Sequence, residues 1–240
     1  MLRGSPRPAA GRNPARSALP QIRRLRRLTR MLPSVHAAIL RRALEGLFTR
    51  QALNWIIASN LLMDVPWNQV GRDELHFDNN AFDRSNSYMT GQRALILPAL
   101  EGSRPRPAWQ AFGRLTHTAQ DFYAHSNYVE LWLARNPNRM LRVPTEIDPL
   151  DAGIMESPAL RSGRPHMPFG ALSFVPGFAN WVDRMLPVDS HAHMNLDSAA
   201  RGPAFEYAFH AAIKRTLHEY DLLTNGLSEP VVTRFRGLSV

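Results

Sequence analysis

Three metal-binding side chains recur at equal steps in GRLTHTAQDFYAHSNYVE, residues 113–130. His117, Asp121 and His125 are spaced four and four. An α-helix turns once in about 3.6 residues, so one helix face carries all three. Phe122, Tyr123 and Ala124 between them read as buried. A buried carboxylate is costly unless it is paired or binds a cation. The chemistry this points to is a metal centre, and a centre needs further ligands.

The rest of the chain supplies candidates. His193 and Asp197, in SHAHMNLDS, repeat the four-residue step. His36 opens a helical stretch beside Val35, Ala37 and Ile39. Asp64 closes another, four residues after Asn60, where an acid opposes the helix dipole and needs compensation. His76 and Asp78 flank Phe77 in HFD. His210 is a candidate inward group on an amphipathic helix, whereas His218 reads as exposed and His166 carries no metal role. Each histidine taken alone reads as an ordinary surface or hydrogen-bonded one; their company raises them to ligands. The chain has no cysteine, so thiolate sites and disulfides are excluded. With His and Asp donors zinc is the natural ion, although manganese and iron also fit.

The elements that must position these groups are helical. Ser34 is expected to cap a helix through VHAAILRRALEGLF, and a second is expected over 50–63, ended by Pro66. Residues 68–90 read as polar and irregular, and GQRALILPALEG as a short helix or extended run. Trp109 to about Arg135 reads as one long helix stopped by NPN. A last helical region spans about 191–224, interrupted near 201–203, and EPVVTRFRGLSV is weakly strand-like. These readings give an all-α fold. The expected organisation is an Arg/Pro-rich tail at 1–31, a helical domain at 32–228 with a loop-rich insertion at 136–190, and a C-terminal tail at 229–240.

Charge is uneven. The formal net charge is +9, and residues 1–30 hold nine arginines and no acid, so the remainder is near neutral. The arginines suit an anionic membrane surface or a solvated tail. No stretch reads as a secretory signal, and none approaches the roughly 18 apolar residues of a membrane span. The sequence leaves the location open between the cytoplasm and export by a signal-independent route.

The order of ligands resembles the zinc-dependent phospholipase C/P1 nuclease superfamily, and within it the HET-C-like proteins. The resemblance rests on VHAAILRRAL, SNLLMD, HFDN, GRLTHTAQDFYAHSNYVEL and HMNLD. It implies a multi-helical bundle around a central cluster of two or three Zn2+ ions. By position, Asp64, His76, His117 and Asp121 would hold the first ion. His125, His193 and Asp197 would hold the second, and His36 with Asp121 a third. This chain departs from the pattern in lacking an N-terminal Trp ligand and in placing His125 four residues after Asp121 rather than six.

The activity implied is phosphodiester hydrolysis by zinc-activated water, phospholipase C-like, with Asp64 orienting or deprotonating the water. Asn60, Asp78, Asn127 and His210 would support the ligands or the substrate. The substrate would be a phospholipid or another phosphodiester. A P1-like nuclease, a non-catalytic metal-stabilised interaction module and a plain bundle with salt-bridged His/Asp pairs are the alternatives.

Overall fold

The computed structural model describes residues 33–69, 71–102, 104–135, 143–164, 187, 190 and 194–239. The Arg-rich stretch and most of the 136–190 segment lie outside these residues. Among the described residues the fold is all-α, with isolated bridges and no strand.

Helix α1 (Pro33–Leu44) buries His36, Ala37, Ile39, Leu40, Ala43 and Leu44, a stripe at helical spacing. Thr49 caps α2 (Arg50–Leu61), its hydroxyl accepting the Ala52 N–H. The chain then tightens into two 3-10 turns, Leu62–Asp64 and Pro66–Asn68. Helix α3 (Asp73–His76) follows, then α4 (Phe82–Ala94), α5 (Ile96–Glu101), α6 (Arg106–His125) and α7 (Tyr128–Arg135). After α8 (Ala152–Met155) come α9 (Ala204–Thr224) and α10 (Glu229–Arg236).

Helix α6 is the axis. It is buried on nearly every side from Ala108 to His125, as a helix is when neighbours surround it. Helices α2, α9, α4, α5 and α3 all pack on it. The tightest approach is to α2 at Gly113. A Cβ there would collide with the Ile56 carbonyl oxygen and lie 2.9 Å from Ser59 Cβ.

Several expectations need correction. The segment 68–90 is not irregular: it forms α3 and most of α4. Helix α4 shows little amphipathic pattern because it buries only Ser85 and Met89, so its fold depends on neighbours. Arg93 reaches Glu219, and Arg114 of α6 reaches Gln92. The run from Trp109 to Arg135 is two helices, with Ser126 extended at φ −108°, ψ 166°. The break occurs because Ser126 and Asn127 turn aside to bond the 159–163 segment: Asn127 N–H donates to the Arg161 carbonyl at 3.0 Å.

The last residues are helix, not strand or tail. Pro230 sits in the first turn of α10, and Gly237 ends it at φ 78°. The β-branched residues there misled because the deciding signal is burial of Val232 and Phe235 three apart. Trp109 Nε1 donates to the Phe235 carbonyl at 2.7 Å, so 229–236 belongs to the domain core. Asn195, Leu196 and Asp197 are not helical, so the helix expected from about 191 does not run through Asp197. Leu196 N–H bonds the Ala124 carbonyl instead, which fastens this stretch beside the end of α6.

Candidate metal centre

The site forms where α1, the 3-10 turns after α2, the end of α3 and the middle of α6 meet. Helix α1 brings His36 and helix α6 brings His117 and Asp121, all 0–1% exposed. Asp64 comes from the first 3-10 turn, and its side chain is 13% exposed. His76 ends α3, where Phe77 turns the chain at φ 54°, with Asn79 and Asn80 also at φ 55°. A left-handed Phe costs about 1–2 kcal/mol. Packing edge-on against Phe122, 5.1 Å between ring centroids, holds Phe77 there.

The ligand atoms converge. His117 Nε2 lies 3.0 Å from Asp121 Oδ2, 3.2 Å from His76 Nδ1 and 3.9 Å from Asp64 Oδ1. His76 Nδ1 lies 2.8 Å from Asp121 Oδ2. His36 Nε2 lies 3.3 Å from Asp121 Oδ1 and 3.6 Å from Asp64 Oδ2. Ligands of a tetrahedral zinc with bonds of about 2.0 Å stand about 3.3 Å apart, so this spacing fits the ion. Two overlapping three-ligand groups result, His36–Asp64–His117 and His76–His117–Asp121. His117 belongs to both, and a single one of its nitrogens faces the other ligands. The described residues therefore complete a three-ligand set around one ion at a time.

The arrangement asks for positive charge. His76 Nε2 faces the Asn68 carbonyl at 3.1 Å, and a carbonyl only accepts, so Nε2 carries the proton. In the neutral ring His76 Nδ1 would then aim a lone pair at Asp121. A second proton or a metal ion relieves this. Burial pulls His36 and His76 down, but the Asp121 carboxylate outweighs it and both end above the ordinary histidine value. His117 ends below it, because burial and the neighbouring His36 prevail over Asp121. Asp121 itself is raised by burial but lowered more by His117 and His125, and ends well below the carboxylate range.

The remaining expected ligands form a second, separate pairing. His125 Nδ1 meets the His76 carbonyl at 3.0 Å and Asp78 Oδ1 at 3.3 Å, while Nε2 meets Asp197 Oδ1 at 3.4 Å. Burial lowers His125, but Asp78, Asp121 and Asp197 raise it well above the ordinary value. His193, the remaining member expected for a second ion, lies outside the described residues. His36, which the resemblance pairs with Asp121 at a third ion, lies 3.3 Å from Asp121 Oδ1 and also groups with Asp64 and His117.

Asn60 lies behind the ligands, its amide nitrogen 3.3 Å from Gln120 Oε1. Asn127 bonds the 159–161 segment with its side chain as well, through the Ala159 carbonyl and the Arg161 N–H. His210 is placed elsewhere: it is partly buried near Arg42, Glu206 and Lys214, with burial and Arg42 lowering it. Its turn of α9 lies beside Arg42 of α1.

Two residues behind the ligands escaped the sequence reading. Gln120 Oε1 accepts from His36 Nδ1 at 2.7 Å, and Gln120 Nε2 donates to Thr216 Oγ1 at 3.2 Å. The available signal was a run of polar residues, Thr116, His117, Gln120 and Asp121, on a helix too buried to solvate them.

Fold and site together define an all-α domain with a buried His/Asp group of metal-ligating geometry. A family model, the VWA7 N-terminal domain, matches residues 31–153, slightly more than half of the chain, and the chain belongs to that family. No curated protein and no solved structure matches it. The family match overturns the resemblance to the phospholipase C/P1 nuclease superfamily and its HET-C-like subgroup. A His-x-x-x-Asp step recurs wherever a helix face carries polar pairs, so the order of ligands did not define a family. The match contains His36, Asp64, His76, His117 and Asp121 and stops before Asp197. Among the described residues no helix is long and apolar enough to cross a membrane.

Proposed function

We propose that this domain holds a divalent metal ion, zinc by its donor chemistry, and acts as a metal-dependent hydrolase of phosphodiesters. The observation behind this reading is the pair of overlapping three-ligand groups, His36–Asp64–His117 and His76–His117–Asp121, that share His117 at ligand spacing. Bound there, zinc would supply a Lewis acid that brings the pKa of water to about 7. The chain's own residues divide the remaining work. Asp121 lies between His36, His76 and His117 and holds their rings in place. Asp64 has the most exposed side chain of the group, so it stands on the solvent side. There it would orient water and accept its proton. A phospholipid is the first substrate class and nucleic acid the second. The arginines of residues 1–30 favour either polyanion.

The burial of His36 and His117 favours a second reading, in which the ion fastens an interaction module without turnover. Metal content by plasma mass spectrometry, on wild type and on His117→Ala with Asp121→Ala, comes first. Hydrolysis of bis(4-nitrophenyl) phosphate and of phosphatidylcholine vesicles follows. Stoichiometric zinc lost in the double variant, with turnover, supports the hydrolase. Zinc without turnover supports the module. A wild type that binds no metal removes both.

A further inference from the structure

Behind the ligands runs a chain of hydrogen bonds with a fixed direction. The Thr216 hydroxyl donates to the Ala212 carbonyl at 2.8 Å. Its oxygen is therefore left to accept, and it faces Gln120 Nε2 at 3.2 Å. That sets the Gln120 amide with Oε1 toward α1. A second contact sets it the same way. The Thr116 hydroxyl donates to the Phe112 carbonyl at 2.9 Å, so it accepts from Asn60 Nδ2 at 3.4 Å. The same Asn60 nitrogen then donates to Gln120 Oε1 at 3.3 Å. Gln120 Oε1 can only accept, and it lies 2.7 Å from His36 Nδ1. The proton of His36 must sit on Nδ1, and Nε2 is left facing Asp64 and Asp121.

We infer that Gln120, oriented by Thr216 and Asn60, is a positioning residue that holds His36 in its metal-ready tautomer and sets the affinity of the centre. The inference rests on the metal reading proposed above, and it adds a role for α9, which contributes no ligand among the described residues. His36, Gln120, Asn60, Thr116 and Thr216 are all 0% exposed, so water does not stand in for a lost partner. Removing the acceptor leaves the His36 N–H orphaned and the ring free to turn or change tautomer. Loss of such a partner costs about 10–100-fold in metal affinity.

The test uses the full chain, stripped of metal and titrated with Zn2+ against a chromophoric chelator, with the imidazole tautomer of His36 read by nitrogen-15 NMR at an alkaline pH where the ring is neutral. Gln120→Leu should weaken zinc binding by about 10–100-fold and shift the His36 signals away from the Nδ1–H pattern. Gln120→Glu keeps the acceptor and should restore affinity to within a few-fold of wild type. Thr216→Val keeps every side chain that touches a ligand, and should give an intermediate loss. Circular dichroism confirms that each variant is folded. If Gln120→Leu fails to fold, Thr216→Val alone decides. Wild-type affinity together with an unchanged His36 tautomer in the folded variants overturns the inference. If the wild type binds no zinc, the metal reading fails separately, and the tautomer readout still decides whether Gln120 positions His36.

Discussion

At the scale of single residues, Asp121 and Asp64 do different work although both are carboxylates in the same cluster. Asp121 is surrounded by His36, His76 and His117 and is 1% exposed, so it cannot exchange partners with solvent. Asp64 is held from one side by Gln69, whose amide lies 3.2 Å from Oδ1, and is the ligand a water can approach. Asp64→Asn keeps the shape and an oxygen donor but loses the proton acceptor. It should weaken zinc binding, and in protein kept loaded by excess Zn2+ it should still lower turnover of bis(4-nitrophenyl) phosphate by about 100-fold or more. Unchanged turnover would remove Asp64 from the chemistry. The four-residue step of His117, Asp121 and His125 was legible because helix period is a local property. That His125 leaves the group for Asp78 and Asp197 was not, since it sits at the last residue of α6 where the chain is about to turn.

At the scale of elements, the cluster depends on how closely α2 and α6 approach. Gly113 makes that approach possible, and its substitution separates two opposed effects. Alanine is the better helix former by about 1 kcal/mol. Its methyl group would meet backbone of α2, at the Ile56 carbonyl and 3.1 Å from the Asn60 nitrogen, and backbone does not yield as a flexible side chain does. Overpacking of this kind costs about 1–3 kcal/mol, so the steric effect wins. Gly113→Ala should lower stability in urea by about 2 kcal/mol and weaken zinc binding, because Asn60 and Asp64 ride on α2 and the turn after it. A gain in stability would show that the helices are less closely packed. The all-α class was readable from the lack of period-2 alternation. Helices α3, α4 and α10 were not, because α4 and α10 bury only a pair of residues each and α3 is a single turn. His76 owes its place to that turn and to the left-handed Phe77, which no sequence period announces.

At the scale of the whole molecule, a second buried charge group, which supplies none of the candidate ligands, fastens α4 to α9. Glu219 is 0% exposed and takes Arg93 in two 2.8 Å contacts and Arg215 Nε in a third at 2.8 Å. Burial raises the Glu219 carboxyl, but Arg93 and Arg215 outweigh it, and the group titrates below its ordinary value. The sign follows. A carboxylate with a depressed folded value stabilises the fold above the unfolded value, about 4.3, and that contribution is lost as pH falls through the folded one. Glu219→Gln removes the charge and leaves Arg215, 9% exposed, without its ion partner. At pH 7 the variant should be less stable than wild type by about 3–5 kcal/mol. The gap should narrow steadily below the unfolded carboxylate value, as wild type itself becomes protonated there. Urea unfolding of both proteins from pH 7 down to acid, with chelator present to keep the metal site constant, measures the difference directly. A gap that stays the same across this range would mean that Glu219 acts through shape and hydrogen bonding rather than through its charge.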